Sequence, residues 1–303
     1  MSIPVSSHQQ QKSDLKGAIL ISATSSGIGA ACAKILAQQG LWVFAGTRNL
    51  DKGKAFQQEV NGNLTPVLLD VTDRNSIASA VVLVTEVLSK EKINLLGIVN
   101  NACYEYHGPM EIVPVDFARQ EMEVSYLGYL AVTQAFLPLL RQSKGRIVNF
   151  SSINGRCVFP SVGTGCAAKY AVEAMSDALR LELAPWGIRV SLIEPGAIAT
   201  PLWEKTQQAF EDLPNHVAPE KLELYYPSWS EAVEKSRAET NYWYNKGIPP
   251  EQAVKAIYHA LTSNSPKTRY LIGTDAKIIA LLKWLLPAWL FDRLALRMFN
   301  YQD

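Results

Sequence analysis

The sequence carries almost no excess charge and few cysteines. Its net charge is +1 and charged residues make up 19% of 303 residues, so the basic surface of a nucleic-acid-binding domain is not expected. The four cysteines, Cys32, Cys103, Cys157 and Cys166, form no CxxC pair and have no histidine at metal-ligand spacing. We therefore expect no disulfide framework, no metal site and a reducing, cytoplasmic setting.

Long hydrophobic runs are also missing. Residues 1–14 are polar and rich in Gln and Ser, which predicts a frayed tail rather than a signal peptide. The most apolar stretch, Ile278–Leu290, contains Lys283 and Pro287 and is shorter than the roughly 20 residues of a membrane-spanning helix. Its pattern predicts an amphipathic helix within a C-terminal extension, 274–303. That helix either packs on the body or a partner chain, or makes peripheral contact with a membrane.

Apolar strands alternate with amphipathic helical patterns along the chain. The predicted strands are Gly17–Ser22, Leu41–Ala45, Leu64–Leu69, Leu95–Asn100, Arg146–Ser151, Ile188–Ile193 and Thr268–Ile272. The predicted helices are Ile28–Leu36, Ser76–Leu88, Phe117–Leu140, Ala167–Leu183 and Ala253–Leu261. This alternation predicts one α/β domain over 15–273, a doubly wound parallel sheet of Rossmann type, with a ligand beyond the carboxyl ends of the strands.

One long insertion, 197–248, interrupts this alternation and is expected to be irregular. It is rich in aromatic side chains: Trp203, Phe210, Tyr225, Tyr226, Trp229, Tyr242, Trp243 and Tyr244. Such a segment suits a lid over a hydrophobic small-molecule ligand. Packing of the insertion against its own body, or at a subunit interface, is the equal alternative.

A glycine-rich turn follows the first predicted strand. Gly27 and Gly29 let backbone N–H groups and a helix N-terminus approach a pyrophosphate. The residues proposed to surround the phosphates are Ser22, Thr24, Ser26, Gly27, Ile28 and Gly29.

The second strand ends in Gly46-Thr47-Arg48-Asn49 and offers no acidic residue. Dinucleotide-binding folds that prefer NAD place an acid near this point, where it contacts the adenosine ribose. The Arg48 guanidinium could instead pair with a 2′-phosphate. We therefore expect NADP(H) in preference to NAD(H).

These motifs, from Lys16 to Ile272, resemble the short-chain dehydrogenase/reductase family. The family's Thr-Gly-x-x-x-Gly-x-Gly turn is matched with Ala23 in place of the first glycine, which would cost roughly 1 kcal/mol if φ must be positive there. The resemblance implies further cofactor contacts, with Cys103 where the family's Asn-Asn-Ala-Gly element has glycine. Those contacts are Asp70, Val71, Asn101, Ala102, Lys169, Pro195, Gly196 and Thr200.

The family's catalytic residues are Asn, Ser, Tyr and Lys, and this chain matches only two of them. Ser152 and Lys169 occupy the serine and lysine positions. Gly165 stands where the resemblance implies the proton-transferring tyrosine, and Ser125 stands where it implies the asparagine. A positioned acid or base contributes about 10²–10⁴-fold to a rate, so the loss at position 165 must be compensated in an active enzyme.

Several side chains could replace the missing phenol. His107, Tyr104 and Tyr106 lie in the loop after the Asn-Asn-Ala-Cys turn, which faces the active site in this family. Tyr126 is the poorest candidate, because adjacent residues on a helix point about 100° apart. Ordinary loop or core packing is the alternative for each of them, and Cys166 is expected to be a small buried residue.

Three functions remain open. The first is an atypical NADP(H)-dependent oxidoreductase acting on a hydrophobic alcohol or carbonyl. The second is an inactive relative that senses nucleotide or binds a partner, and the third is an isomerase or cyclase on the same scaffold. The resemblance also implies a homo-oligomer assembled through two long helices.

Overall fold

A single parallel sheet of seven strands forms the centre of the protein. The computed structural model describes residues 17–298, so the predicted tail at 1–14 and the end of the C-terminal extension, 299–303, lie outside the described residues. The strands are β1 Ala18–Ile21, β2 Trp42–Thr47, β3 Leu64–Leu68, β4 Leu95–Asn100, β5 Arg146–Phe150, β6 Arg189–Pro195 and β7 Arg269–Ile272. Their order is β3-β2-β1-β4-β5-β6-β7, which confirms the predicted doubly wound α/β fold.

Helices cover both faces of this sheet. They are α1 Gly27–Gln38, α2 Leu50–Glu59, α3 Arg74–Glu91, α4 Val115–Met122, α5 Gly128–Ser143, α6 Gly163–Glu182, α7 Leu202–Glu211, α8 Pro219–Tyr225, α9 Trp229–Lys246, α10 Pro250–Thr262, α11 Thr274–Leu285 and α12 Ala288–Met298. Helix α1 packs against α10, and α3 packs against α5. The central strand β1 is apolar along its whole length because both faces of the sheet are buried there.

The order of the strands determines where a ligand can bind. The chain moves outward from β1 through β2 to β3, then returns to β4 on the other side of β1. This reversal opens a crevice at the carboxyl ends of β1 and β4, the usual ligand site of such sheets.

Buried amides fix the strands beside this crevice to the helices behind them. Asn100 donates from Nδ2 to Asn149 Oδ1 at 2.8 Å and to Thr133 Oγ1 at 3.1 Å, and Asn149 Nδ2 donates to Ser176 Oγ at 2.9 Å. This network ties β4 and β5 to α5 and α6, since buried polar groups need partners.

The structure differs from the predicted helices at α2 and at the long helix predicted for 117–140. Helix α2 was not predicted, because its sequence contains few apolar residues; its visible signal is Asn49, whose side chain accepts a hydrogen bond from Lys52 N at 3.0 Å. The predicted helix 117–140 is α4 and α5, joined by a π-helical turn, Glu123–Leu127.

The expectation of an irregular insertion at 197–248 was wrong. Helices α7, α8 and α9 fill most of it, with Pro219 at the start of α8 and the Ser228 side chain capping α9. Contacts between aromatic rings of different helices stabilise them, as between Phe210 and Trp229 at 5.1 Å.

The C-terminal extension forms two helices rather than one, because Pro287 separates α11 from α12. Phe291 and Ala295 are buried in a cluster that also contains Phe159 and Cys166, so the extension packs on the body. Trp284, by contrast, is 80% exposed. Within residues 17–298, every helix is too short or too polar to cross a membrane.

Candidate active site

A cavity of about 900 Å³ opens at the carboxyl ends of the strands. Most of the predicted site residues line it: Ser26, Gly27, Ile28, Arg48, Asp70, Val71, Asn101, Ala102, Ser152, Lys169, Pro195, Gly196 and Thr200. Its walls come from the ends of β1 to β6, from α7 and α9, and from the start of α11. The structure therefore brings the proposed cofactor residues and the proposed catalytic residues into one space.

The turn after β1 has the backbone shape that favours glycine. Ala23 has φ of 55° and Gly27 has φ of 57°, and the left-handed region is costly for an alanine. A Cβ on Gly29 would lie 2.2 Å from Ala23 O, so only glycine fits where the helix meets this turn.

Three predicted cofactor residues shape the turn without lining the cavity. Ser22 Oγ accepts hydrogen bonds from the N–H groups of Asn101 at 2.9 Å and Ala102 at 3.2 Å. Thr24 Oγ1 donates to Gly46 O at 3.0 Å. Gly29 lies behind the turn, so these residues position the turn's backbone.

Arg48 and Asp70 lie on the cavity wall just after β2 and β3. Burial acts to raise the pKa of Asp70, but hydrogen bonds from the backbone and hydroxyl of Thr72 and the charge of Arg48 outweigh it and hold that pKa below its ordinary value. The Arg48 side chain is exposed, and no ion pair to an acidic residue is found for it within residues 17–298.

The wall beyond β6 contains a residue that sequence reasoning missed. Asp275, at the start of α11, accepts a hydrogen bond on Oδ2 from Ala197 N at 2.8 Å. A Cβ on Gly196 would lie 2.0 Å from that same oxygen. Gly196 is therefore needed to admit the carboxylate, and no nearby motif could have indicated a residue that is distant in sequence.

Ser152 and Lys169 both reach the cavity. Ser152 Oγ accepts from Asn154 N at 3.2 Å and donates to Pro195 O at 3.4 Å. Lys169 is 9% exposed, and its Nζ donates to Phe150 O at 3.1 Å. A buried ammonium retains further hydrogens to donate, so Lys169 can still bind a ligand hydroxyl.

Gly165 and Ser125 lie behind the cavity wall. Both are buried, Gly165 in the first turns of α6 and Ser125 in the π-helical turn. Gly165 precedes Lys169 by four residues, so the two occupy the same face of α6.

The suggested replacements for a phenol are placed differently from one another. His107 and Tyr104 line the cavity. Tyr106 is buried, donates its hydroxyl to Gln120 Oε1 at 2.6 Å and stacks on Phe117, and burial raises its pKa to about 12. Tyr126 packs against the main core. Neither Tyr106 nor Tyr126 is on the cavity wall.

Sequence reasoning missed the two carboxylates that occupy the space beside Gly165. A Cβ built there would lie 3.6 Å from Glu105 Cγ and 3.6 Å from Glu121 Oε1. Glu105 lines the cavity, and its Oε1 is 3.8 Å from His107 Nε2. Glu121 is fully buried on α4, and its Oε1 accepts a hydrogen bond from Tyr106 N at 2.7 Å.

The two carboxyl groups have opposite pKa shifts. Burial acts to raise the pKa of Glu105, but the adjacent His107 and the charge of Lys169 outweigh it, so its pKa lies below the ordinary value. Burial raises the pKa of Glu121 to about 7, with the charge of Glu105 adding to that effect. Near neutral pH the pair therefore holds one firmly ionised carboxylate and one carboxyl that carries a proton much of the time.

The aromatic side chains of the insertion fall into two groups. Trp203 and Trp243 line the cavity. Phe210, Tyr225, Tyr226 and Trp229 instead form a separate apolar cluster with Leu213 and Leu222. The described residues contain no group of three or more His, Cys, Asp and Glu side chains that could hold a metal ion.

The sheet order, the glycine turn and the cavity define a dinucleotide-binding α/β protein. The family model for short chain dehydrogenases matches residues 17–211. The chain is 33% identical over 300 residues to the 17-beta-hydroxysteroid dehydrogenase type 6 of Bos taurus, covering 97% of this chain and 90% of that protein. It is 34% identical over 265 residues to the mitochondrial D-beta-hydroxybutyrate dehydrogenase of Mus musculus, covering 84% and 76%.

A solved structure extends the similarity. A short chain dehydrogenase from Burkholderia cenocepacia, crystallised in complex with NADP, superposes with a TM-score of 0.66 at 25% identity, covering 95% of this chain and 99% of that one. The protein belongs to the short-chain dehydrogenase/reductase family, and the relatives that it resembles are oxidoreductases.

Proposed function

We propose that the protein is an NADP(H)-dependent oxidoreductase acting on a hydrophobic alcohol or carbonyl compound, with an altered proton-transfer site. The observation that carries this proposal is the single cavity joining the glycine turn and Arg48 to Ser152 and Lys169. The residues fit a dinucleotide because Gly27 has the required backbone shape and Gly29 allows the helix to approach the turn.

Each proposed role follows from the chemistry of the side chain. Lys169 would donate to the nicotinamide ribose and Ser152 would orient the substrate oxygen. The nicotinamide, when bound, supplies hydride transfer. Trp203 and Trp243 would supply an apolar wall for the substrate.

Preference for NADP(H) rests on Arg48, whose guanidinium can bind a 2′-phosphate in bidentate fashion. The absence of an acid after β2 and the NADP complex of the Burkholderia cenocepacia protein support the same choice. Isothermal titration calorimetry with NADP(H) and NAD(H) tests this preference directly.

Hydride transfer decides whether the protein is an oxidoreductase. Deuterium transfer from stereospecifically labelled NADPH to hydrophobic ketones, or from labelled alcohols to NADP⁺, is the measurement; hydroxysteroids and 3-hydroxybutyrate belong in the panel because of the relatives. We expect turnover that Lys169→Ala reduces at least 100-fold, while Lys54→Ala on the exposed face of α2 has no effect.

Binding of NADP(H) without turnover would instead support a nucleotide sensor, the alternative favoured by Gly165 and Ser125. An isomerase or cyclase would convert its substrate with no net change in the cofactor.

Three further proposals concern localisation, assembly and membrane contact. Free cysteines agree with the cytoplasm, although the D-beta-hydroxybutyrate dehydrogenases among the relatives are mitochondrial by name, and imaging of a tagged chain would decide between the two. Tyr170 and Leu181 are exposed on α6, in accord with a homo-oligomer that light scattering would detect. Exposed Trp284 and Trp289 on the C-terminal helices favour peripheral membrane contact, which vesicle flotation would test.

A further inference from the structure

We propose that Glu105 is the general base of the reaction and that the protein is built to oxidise alcohols, with the carboxylate entering the space left open by Gly165. This inference rests on the proposed function. It begins from the contact between Glu105 Cγ and the Cβ position of residue 165, 3.6 Å apart, and from the place of Glu105 on the wall shared with Ser152 and Lys169.

The loop that carries Glu105 is held on both sides. Tyr106 N donates to Glu121 Oε1 on α4 at 2.7 Å, and Gly108 N donates to Ser161 O, just before α6, at 2.7 Å. The hydroxyl of Thr206 on α7 donates to the Glu105 carbonyl oxygen at 3.4 Å. These three hydrogen bonds hold the backbone of the loop, so the Glu105 side chain starts from a fixed point beside the cavity.

The surroundings of Glu105 favour the ionised carboxylate, which is the form that can accept a proton. Its pKa lies below the ordinary value of a glutamate, for the reasons given above, so it is ionised at neutral pH and can accept a proton. The titratable groups that face it are Cys103 and His107 from its own loop, Glu121 from α4, and Cys166 and Lys169 from α6.

The proposed step conserves atoms and electrons. The proton of the substrate hydroxyl passes to a Glu105 carboxylate oxygen, and the carbon–oxygen double bond forms as the O–H bond breaks. The oxidised nicotinamide required by the proposed function, when bound, would supply the acceptor for the hydride, which carries both electrons of the C–H bond on the same carbon. The Glu105 proton then leaves to solvent past His107. The His107 Nε2 atom is 3.8 Å from Glu105 Oε1, and the His107 side chain is 24% exposed.

Glutamate-to-glutamine replacement tests this role with little change of shape. In Glu105→Gln, we expect kcat for alcohol oxidation to fall 10²–10⁴-fold, with NADP⁺ affinity and melting temperature unchanged. The acid limb of the wild-type pH–rate profile should disappear, because the group that titrates there is gone. Glu111→Gln is the matched control, since Glu111 follows on the same segment but does not line the cavity and accepts from Tyr225 at 2.6 Å.

Two further measurements separate catalysis from a structural role. Formate should restore part of the lost rate in Glu105→Ala, because a small carboxylate can enter the space that the side chain leaves. In protein labelled with ¹³C at the glutamate carboxyl carbons, the Glu105 signal, assigned by its loss in Glu105→Gln, should titrate below an ordinary glutamate even without cofactor.

The outcomes distinguish this inference from the proposed function. If the wild type transfers hydride but Glu105→Gln keeps its rate and pH profile, the role of Glu105 is overturned and the proposed function stands. A Glu105 carboxyl that is still protonated at neutral pH in the ¹³C titration also overturns it, because a general base must be ionised to accept a proton. If the wild type transfers no hydride with any substrate, both proposals are wrong.

Discussion

The side chain of Glu105 occupies the space that a side chain on Gly165 would enter. Its Cγ is 3.6 Å from the Cβ position of residue 165, and its Oε1 is 3.7 Å from it. A Cβ alone would therefore be tolerated, but a larger side chain would displace the carboxylate. The Glu105 carboxylate therefore has room here because residue 165 is a glycine rather than a tyrosine.

Restoring the tyrosine should fail unless Glu105 is removed as well. We expect Gly165→Tyr alone to lower hydride transfer further and to lower the melting temperature, because the ring meets both Glu105 and Glu121. The double variant Gly165→Tyr with Glu105→Ala should recover activity relative to Glu105→Ala. Steady-state rates of the three variants make the comparison, and equal activity in both tyrosine variants would contradict the shared space.

Arg48 should determine the choice of dinucleotide. Arg48→Ala is expected to weaken NADP⁺ binding about 10- to 100-fold and leave NAD⁺ binding nearly unchanged, since a charge-assisted hydrogen bond contributes about 1.5–3 kcal/mol. Calorimetric titration measures both affinities. Lys54→Ala, an exposed cation on α2, is the control, and equal losses for both cofactors would argue against a 2′-phosphate contact.

The backbone strain at Ala23 should be measurable as stability. Ala23→Gly relieves a left-handed alanine but adds freedom to the unfolded chain, so we expect a net gain of about 0.5–1 kcal/mol in the free energy of unfolding. Chemical denaturation checks the value. In the control, Ala31→Gly within α1, the same substitution should be destabilising by about 1 kcal/mol, and matching losses would exclude strain at Ala23.

Burial of Glu121 should make folding stability depend on pH. The pKa of this carboxyl is raised from 4.5 to about 7, so the folded protein holds a proton that the unfolded chain releases above pH 4.5. The free energy of unfolding should therefore fall between pH 4.5 and 7 and remain lower above that range. Glu121→Gln keeps the acceptor for Tyr106 N but removes the titration, and should gain about 2–3 kcal/mol relative to wild type between pH 4.5 and 8.

Denaturation series at several pH values provide this measurement. Glu111→Gln should follow the wild type throughout. A constant difference between Glu121→Gln and the wild type across the range would show that Glu121 does not titrate in this window.

The C-terminal helices should support the site through Phe291. This ring is 3% exposed and packs near Phe159, with a distance of 6.3 Å between ring centres. Phe291→Ala is expected to cost about 3–5 kcal/mol of stability and to weaken ligand binding, because the segment beneath it leads into α6. Trp289→Ala, whose side chain is 60% exposed, should change stability by less than about 1 kcal/mol; similar losses in both would contradict the packing.

Local sequence patterns predicted much of the fold for identifiable reasons. Strand β4 lies where its apolar run predicts, Leu95–Asn100, because a strand buried on both faces reads as continuous hydrophobic residues. The helices of the insertion were missed because their stability comes from rings such as Phe210 and Trp229 meeting across different helices. The proline at position 287 was visible in the sequence. The packing of α11 and α12 on the body, on either side of that proline, was not.

The sequence by itself determined the alternation of strands and helices, the glycine turn, and the presence of glycine at position 165. Each of these features depends only on residues that are neighbours in the chain. Only the tertiary structure decided what stands beside that glycine. Glu105 and Glu121 are separated from it by 60 and 44 positions, and the crossing of the loop after β4, α4 and α6 brings them together. Local pattern can reveal that a side chain is missing, but only packing reveals which groups occupy its space.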